Sequence, residues 1–394
     1  MGLFDIFKGN KDKDKHRGKD ASDKSTSASA PHLPRQFYSL KVSDIVRETT
    51  DAISIYFEIP TEYKSVFVYE AGQYVTLRIT IGDSYYLRSY SLSSSPDTDA
   101  EFRVAVKRKQ GGKVSNFLVD KCRVGNYLDV FPPLGSFTPD LANPSPNYFL
   151  FAGGSGITPL LSIAKTLLAR TSSHVTIWYA NRNADHIIYE CELTRLVQEN
   201  KQKLTIHHIL DEAPEEWNGM YGIMQASDYA NALRNFSSEQ LNNAHYFVCG
   251  PTGMMQTVEK ALKQELGISP QKIAIEYFDI AKQIEHDRAE LDAELKSEVP
   301  TSDKETIAEV SLDGRIHQVK IFPNETILTA CLDAGLDAPF MCEAGVCASC
   351  RARVTQGKVT MEACYALTQK DIDEGYILTC QAYVQSPKVS LKFQ

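Results

Sequence analysis

Four cysteines near the end of the chain have the spacing of metal ligands. Cys342, Cys347 and Cys350 lie in one short segment, and Cys380 follows thirty residues later. Intervals of four residues, two residues and then a long stretch follow the plant-type pattern for a [2Fe-2S] cluster. Zinc is the alternative for four cysteines, but zinc sites generally use two short cysteine pairs. The pattern therefore favours iron-sulfur, and the small residues between the cysteines would let backbone amides approach inorganic sulfide.

Composition describes an ordinary protein of several domains. A chain of 394 residues is too long for one compact core, and its 43% hydrophobic and 23% charged residues are typical of soluble domains. The net charge of −8 argues against nucleic-acid binding and suits a basic protein partner. The sequence shows no secretion signal and no apolar run of membrane-spanning length, so we expect a cytoplasmic location. Four other cysteines are expected to be small buried hydrophobic residues, namely Cys122, Cys191, Cys331 and Cys364.

Residues 1–34 begin with a short apolar stretch and continue with a Lys/Asp mixture and a Ser/Thr/Ala/Pro segment. Such a segment cannot bury enough apolar area to fold, so we expect a disordered tail. Its first seven residues are mostly apolar and basic residues follow them, which is compatible with weak membrane contact. A solvated tail without any partner is the alternative.

Residues 35–142 contain short β-rich segments separated by Gly and Pro, a pattern that predicts an antiparallel β-barrel. A helix predicted over Lys113–Asp120 interrupts the strands and begins behind Gly111 and Gly112. Its free N-terminal amides would suit a phosphate group. The six predicted strands are Phe37–Val46, Ala52–Ile59, Gln73–Ile81, Tyr85–Leu92, Glu101–Arg108 and Tyr127–Phe131.

The fourth predicted strand carries the segment Arg88-Ser89-Tyr90-Ser91. The guanidinium of Arg88 could hold a pyrophosphate, the ring of Tyr90 could stack on a flat ring, and the Ser91 hydroxyl could bond a ring nitrogen. Alternating Tyr and Ser are also common in ordinary strands. The segment therefore gains its meaning from the residues that follow it.

Residues 145–280 alternate strands and helices, which predicts a doubly wound α/β domain with its ligand at the carboxyl ends of the strands. The strand Tyr148–Ala152 leads through Gly153-Gly154-Ser155-Gly156-Ile157-Thr158-Pro159 into a helix over Leu160–Ala169. Thr158 is expected to cap this helix and Pro159 to occupy its first turn, so that the loop presents amides to a phosphate. Because Pro159 stands where a third glycine would lie, the G-x-G-x-x-G motif is incomplete.

Other strand ends in this domain carry further candidates. Arg182 follows the strand His174–Ala180, Cys249-Gly250-Pro251 ends the strand His245–Cys249, and Glu276 lies in the last strand, Ile273–Phe278. Cys249 and Glu276 are candidate catalytic residues, and the alternative for each is a structural role. The adjacent His207 and His208 are expected to be structural, because four cysteines already complete the metal site.

Residues 281–304 are charged and helix-prone and are expected to form a linker. Residues 305–394 predict a small α+β domain of β-grasp type. Its expected elements are a hairpin of Ile307–Leu312 and Gln318–Phe322 around Asp313-Gly314, a helix over Thr326–Ala334, the cysteine loop, and strands over Arg351–Val354 and Lys388–Phe393.

In this order the motifs of residues 36–394 resemble the ferredoxin-NADP reductase family fused to a plant-type ferredoxin, the layout of bacterial oxygenase reductases. The resemblance implies FAD, with Arg88 on the pyrophosphate, Tyr90 against the isoalloxazine ring and Ser91 near flavin N5. It assigns two more segments to FAD, Val106-Lys107-Arg108 and Gly112-Lys113-Val114-Ser115, and places the second at the diphosphate.

The same resemblance implies that the loop Gly153–Pro159 binds a nicotinamide nucleotide and that Cys249-Gly250-Pro251 lies near the nicotinamide ring. Within the family, the order flavin, nucleotide, ferredoxin is most similar to the reductase components of phenylacetyl-CoA epoxidases. Ferredoxin-first oxygenase reductases are disfavoured by this order.

The expected function is that of an NAD(P)H-dependent oxidoreductase, because a flavin can take a hydride and release single electrons to an iron-sulfur cluster. Electrons would pass from NAD(P)H through FAD and the cluster to an oxygenase, with a phenylacetyl-CoA epoxidase-type di-iron enzyme as the expected acceptor. One alternative is a donor to a membrane fatty-acyl desaturase, to which the apolar start of the tail would dock. Another is a redox sensor that holds both cofactors without turnover.

The coenzyme is expected to be NADPH, with NADH as the alternative. The second strand of the α/β domain ends Tyr179-Ala180-Asn181-Arg182, without the acid that binds the ribose of NAD. Arg182 can offer a planar fork of donors to a 2′-phosphate. Asp185 argues the other way, since it could reach a ribose or neutralise Arg182. The structural alternative is that Arg182 is a solvated loop cation.

Overall fold

The computed structural model describes residues 37–82, 84–278, 305–323, 325–336, 338–340, 345, 349–362, 364, 367 and 369–393. Over these ranges the chain forms a six-stranded antiparallel sheet, a six-stranded parallel sheet, and a five-stranded mixed sheet with a two-stranded ribbon. This sequence of architectures confirms the expected fold class. The N-terminal tail and the linker over residues 281–304 lie outside the described residues.

The first sheet closes into the expected barrel. Its order is β4-β3-β6-β1-β2-β5, and a bridge between Leu92 and Val104 joins the two edges. Alternating apolar residues such as Leu40 and Leu77 fill the interior, which the helix α1 (Lys113–Lys121) covers. The strands are β1 (Tyr38–Thr49), β2 (Ala52–Glu58), β3 (Tyr74–Ile81), β4 (Ser84–Ser91), β5 (Phe102–Lys107) and β6 (Tyr127–Leu134).

The second sheet is parallel and has the order β10-β9-β8-β7-β11-β12. Strand β7 is central and buried along its whole length, which explains its apolar sequence from Tyr148 to Ala152. Because the chain places β8 and β11 on opposite sides of β7, the crevice at the carboxyl end of β7 is the switch point where such sheets bind ligands.

The strands of this sheet are β7 (Asn147–Gly153), β8 (His174–Asn181), β9 (Leu204–Leu210), β10 (Met220–Tyr221), β11 (Ala244–Cys249) and β12 (Ile273–Glu276). The helices are α2 (Ile157–Arg170), α3 (Glu190–Glu199), α4 (Ala226–Leu233), α5 (Ser238–Asn242) and α6 (Thr252–Lys260).

The third sheet has the order β14-β13-β19-β15-β17, and a short helix, α7 (Ile327–Asp333), packs on it as in the expected β-grasp arrangement. Asp313 and Gly314 both have positive φ, at 49° and 75°, as a two-residue hairpin turn requires. The remaining elements are β13 (Thr306–Leu312), β14 (Arg315–Ile321), β15 (Arg351–Gln356), β16 (Val359–Met361), α8 (Gln369–Asp373), β17 (Tyr376–Leu378), β18 (Ala382–Val384) and β19 (Lys388–Phe393).

Two local expectations are wrong. Helix α2 begins at Ile157 with Gly156 as its N-cap, so Thr158 already lies in the first turn. The Thr158 hydroxyl does not cap the helix and instead donates to the carbonyl oxygen of Ser155 at 2.9 Å. Cys191 is exposed, because it lies two residues before Leu193 in α3 and therefore on the helix face opposite that buried residue.

Cys122 and Cys331 are buried as expected, and Cys364 is half-buried. Across the described ranges, no helix combines the length and the apolar character that a transmembrane span requires.

Candidate functional site

Three candidate catalytic residues meet where the barrel faces the α/β domain. Ser91 ends β4, and Cys249 and Glu276 are paired neighbours at the carboxyl ends of β11 and β12. The Ser91 hydroxyl donates to Glu276 Oε2 at 3.1 Å. A residue of the segment Arg88–Ser91, called the flavin segment below, therefore contacts a residue of the α/β domain. Ser91 and Cys249 are buried, at 4% and 0% exposure.

The surroundings keep this group of residues uncharged near neutral pH. Desolvation raises the pKa of Glu276 to about 8, although the hydrogen bond from Ser91 opposes the shift. Burial raises the pKa of the Cys249 thiol well above its ordinary value, and the nearby Glu276 raises it further. Cys249 is therefore a neutral thiol and not an activated nucleophile, while Glu276 holds a proton that it can release in mildly alkaline solution.

A pH-dependent stability change should report the desolvated carboxyl of Glu276, a half-buried residue at the end of β12. Its folded-state pKa lies above the ordinary value, so the proton is held more tightly in the folded chain and stability falls as pH rises from about 4.5 to about 8. We expect Glu276→Gln to raise the unfolding temperature relative to the parent at about pH 9 and to leave it nearly unchanged at about pH 4, below the ordinary pKa of the carboxyl. An equal difference at both pH values would contradict the raised pKa.

A cavity of about 450 Å³ opens at the carboxyl ends of the parallel strands, next to this site. Its floor is formed by two glycine-containing segments that pack backbone to backbone. A Cβ atom on Gly156 would lie 2.0 Å from the carbonyl oxygen of Cys249, and one on Gly250 would lie 2.9 Å from Gly153 Cα. The loop Gly153–Pro159, called the nucleotide loop below, and the Cys249-Gly250-Pro251 segment therefore pack directly against each other beside the cavity. The close approach of their backbones requires glycine.

Cations from both domains line this cavity. Arg182 comes from the α/β domain, and Lys107 and Arg108 come from the end of β5 and the residue after it in the barrel. The pKa of Lys107 is lowered, mainly by burial and further by the nearby Arg182, although Asp51 opposes the shift. These cations outnumber the carboxylates of Asp51 and Asp211 in the same lining, so the cavity suits a negatively charged ligand.

Lys107 faces the nucleotide loop, since its Nζ atom lies 3.4 Å from the position that a Cβ on Gly154 would occupy. The assignment of Lys107 to FAD remains a prediction. Asp185 is exposed in the turn after β8 and does not line the cavity. Asp51, His186 and Asp211 also line the cavity, and the sequence did not identify them as site residues. They lie in loops that carry no motif, and their position near strand ends was the only indication of a role.

The flavin segment runs along β4 at the edge of the barrel sheet. Arg88 and Ser89 are exposed, and Tyr90 is partly buried, which raises its pKa. Ser89 bonds the hydroxyl of Thr76 on β3 at 3.1 Å. An exposed guanidinium beside a partly buried aromatic ring fits a ligand with a diphosphate and a flat ring.

The N-terminus of α1 offers backbone amides, because its N-cap Gly112 has no side chain to cap them. A Cβ on Gly112 would lie 2.6 Å from Ser115 Oγ, which accepts a hydrogen bond from the Lys109 amide. The Lys113 ammonium lies over the Tyr86 ring, 4.6 Å from its centroid. Val106 and Val114 are buried in the barrel core, so they can offer a ligand only their backbone groups.

Two of the four candidate metal ligands lie within the described residues. Cys350 and Cys380 are buried, and their Sγ atoms are 3.3 Å apart. Two thiolates on one tetrahedral metal with bonds of about 2.3 Å are about 3.8 Å apart, so this pair fits a shared iron. The neighbouring Ser349 Oγ and Arg351 Nε are buried and have no hydrogen-bond partner among the described residues, as expected beside a sulfide-containing cluster.

Cys342 and Cys347 lie outside the described residues. His207 and His208 lie in β9, where His207 stacks on Trp178 and His208 packs against Tyr179. Among the residues that the structure describes, no three His, Cys, Asp or Glu side chains form a metal-binding group.

The barrel, the α/β domain and the cysteine-bearing domain define a flavin- and nucleotide-dependent electron-transfer protein. Residues 39–138 match the oxidoreductase FAD-binding domain, residues 150–260 the oxidoreductase NAD-binding domain, and residues 310–385 the 2Fe-2S iron-sulfur cluster binding domain. The cofactors expected from the sequence, FAD and a [2Fe-2S] cluster, are therefore confirmed.

The chain is 35% identical to the ferredoxin reductase component of 3-ketosteroid-9-alpha-monooxygenase from Rhodococcus rhodochrous, over 93% of this chain and 100% of the relative. It is 31% identical to one of the subunits of 1,2-phenylacetyl-CoA epoxidase from Escherichia coli, over 91% and 98%. Phthalate dioxygenase reductase shares the fold with a TM-score of 0.53 and 23% identity, over 91% and 98%.

The chain belongs to the family of oxygenase reductase components that join FAD-, NAD- and [2Fe-2S]-binding domains.

Proposed function

We propose that this reductase takes its electrons from NADPH and that Ser91, Cys249 and Glu276 line the place of hydride transfer. The contact between Ser91 and Glu276 carries the proposal, because it joins the flavin segment to the strand end where Glu276 is paired with Cys249, two residues before Pro251 of the cavity lining. FAD, when bound, accepts a hydride and releases electrons singly, as a one-electron cluster requires. Arg88 and the backbone amides of α1 would bind the FAD diphosphate. Gly153–Gly156 would bind the nucleotide, and the four cysteines would hold the cluster.

The acceptor is proposed to be the oxygenase component of a monooxygenase. A phenylacetyl-CoA epoxidase is the acceptor expected from the sequence, and the 3-ketosteroid-9-alpha-monooxygenase relative shares more identity with this chain. Reconstitution of the purified chain with the oxygenase component of each system tests both candidates. Substrate-dependent NADPH oxidation and product formation with one component would identify the acceptor class, and failure with both would remove both candidates.

The two alternatives from the sequence make different demands. A desaturase acceptor depends on docking by the N-terminal tail, and nothing in the described residues supports membrane contact. A redox sensor would bind FAD and the cluster without turnover. Catalytic reduction of ferricyanide by NADPH would refute the sensor, whereas a bound but unreduced flavin would support it.

Coenzyme choice should depend on Arg182. Its side chain lines the cavity at the tip of β8, a strand whose last residues carry no carboxylate to repel a 2′-phosphate. We expect Arg182→Ala to raise the KM for NADPH by about fivefold or more and to leave the KM for NADH nearly unchanged, since only NADPH carries that phosphate.

The matched control for this variant is Arg195→Ala, which removes an exposed arginine of the same domain outside the nucleotide cavity. It should change neither KM. Equal losses with NADPH and NADH in Arg182→Ala would show that Arg182 supports the loop and does not bind the phosphate.

A further inference from the structure

We infer that a buried joint between the barrel and the α/β domain positions the nucleotide loop against the flavin segment, with Tyr189 as a positioning residue. The inference rests on the proposed site of hydride transfer. It concerns residues that have no place in the cofactor motifs, namely one face of α2, the turn before α3 and the segment Ser93–Asp99 that follows β4.

Hydrogen bonds and ion pairs join one face of α2 to the segment after β4. Ser162, Lys165, Thr166 and Arg170 recur at helical spacing, and three of them are buried although they are polar. Buried polar groups need partners, and here the partners come from the other domain. The bonds are Ser162 Oγ to the Ser94 carbonyl oxygen at 2.7 Å, Thr166 Oγ1 with Ser95 Oγ at 2.7 Å, Arg170 to Asp97 at 2.7 Å, and Lys165 to Asp99.

Tyr189 reaches from the turn before α3 into the barrel. Its backbone has φ 65° and ψ 25°, a left-handed conformation that non-glycine residues rarely adopt. Its buried hydroxyl donates to Ser93 Oγ at 2.7 Å and accepts from Ser54 Oγ at 3.1 Å. The Arg103 guanidinium lies 4.5 Å from the ring centroid. Contacts with the other domain therefore hold this unusual conformation.

A closed set of charges completes the joint. Arg103 of β5 pairs with Glu192 of α3 at 3.0 Å, and Lys165 bonds both Glu192 and Asp99. Burial alone would raise the pKa of Glu192, but Arg103 and Lys165 lower it below its usual value, so the carboxylate stays ionised. Each buried charge thus has a partner from the opposite domain. Separation of the domains would remove these partners from Arg103 and Asp99, while Lys165 and Glu192 would keep only each other.

Short stretches of chain connect the joint to both cofactor segments. Strand β4 ends at Ser91 of the flavin segment, two residues before Ser93. Helix α2 begins at Ile157, directly after Gly156 of the nucleotide loop, and reaches the joint at Ser162. A shift at the joint therefore changes the position of the nucleotide loop relative to the flavin segment. Hydride transfer is sensitive to misplacement by about 1 Å, so the joint controls the rate of transfer more than the affinity for nucleotide.

Tyr189→Phe tests this role because it removes both hydroxyl bonds and keeps the ring. The matched control is Tyr246→Phe, which removes a buried hydroxyl bond to the Leu241 carbonyl oxygen inside the α/β domain. In the FAD-loaded chain, we expect Tyr189→Phe to slow flavin reduction at saturating NADPH by roughly fivefold or more, with the nucleotide Kd changed by less than about twofold. Tyr246→Phe should leave the rate unchanged.

Amide hydrogen exchange gives a second readout that needs no turnover. Exchange in Ser93–Asp99 should become faster in Tyr189→Phe, and in Thr166→Val, which removes only the bond to Ser95. Three results would overturn the inference. Flavin reduction could be as fast in Tyr189→Phe as in the parent, only the nucleotide Kd could change, or Tyr246→Phe could slow flavin reduction as much as Tyr189→Phe does. Absence of flavin reduction by NADPH and NADH in the parent would refute the proposed function, and hydrogen exchange would still decide whether the joint couples the domains.

Discussion

Cys350→Ala should yield a protein that has lost its iron-sulfur cluster but still reduces ferricyanide with NADPH. Cys350 and Cys380 lie close enough to share one metal ion, so removing one thiolate leaves that ion short of a ligand. Hydride transfer to the flavin lies upstream and does not need the cluster. Mutation of a residue that only supports a metal ligand already lowers metal affinity or activity by about 10- to 100-fold. Loss of a ligand itself should therefore lower the rate at which a one-electron protein acceptor such as cytochrome c is reduced by at least about 100-fold.

The matched control is Cys331→Ala, which removes a buried cysteine of the same domain that lies in α7. This variant should keep the cluster's iron and its visible absorbance. Unchanged iron content in Cys350→Ala would contradict the ligand assignment. If ferricyanide reduction disappeared while FAD stayed bound, the order of electron flow would be wrong.

Arg88→Ala should release FAD. If the exposed guanidinium holds the diphosphate through a charge-assisted hydrogen bond, its loss costs about 1.5 to 3 kcal/mol, or about 10- to 150-fold in FAD affinity. A titration of the flavin-free protein with FAD measures this effect directly. Activity at limiting FAD should fall in parallel and return as FAD is added.

Arg78→Ala provides the comparison, because Arg78 lies on the neighbouring strand β3 and pairs with Asp129 on β6. As a half-exposed ion pair it contributes little, so FAD affinity should stay within about twofold of the parent. Equal FAD affinity in Arg88→Ala and the parent would remove Arg88 from the diphosphate site.

Local patterns in the sequence were sufficient to predict most of the fold. Gly and Pro separate the strands of the barrel, Asp313-Gly314 marks the hairpin, and β19 spans the predicted residues. The meeting of Cys249 with Glu276 followed from the rule that parallel strands present their carboxyl ends together. Such features depend on residues close in sequence or on the general geometry of a fold.

Features that depend on packing between domains could not be predicted in this way. Ser162, Lys165 and Thr166 have the composition of a solvent-facing helix surface, yet they are buried because the barrel covers them. Cys191 shows the converse, since an apolar residue type lies on the exposed face of its helix. Only the three-dimensional arrangement shows which helix face another domain covers.

The close packing of Gly153 against Gly250 constrains how this enzyme can be redesigned or can diverge. Any side chain at either position would push apart the two walls of the nucleotide site, so substitutions that alter coenzyme preference have little room on the cavity floor. Arg182 and His186 also line the cavity and take no part in this glycine contact. Directed evolution toward NADH should therefore accumulate changes at these rim positions, while libraries that vary both glycines should yield mostly inactive clones.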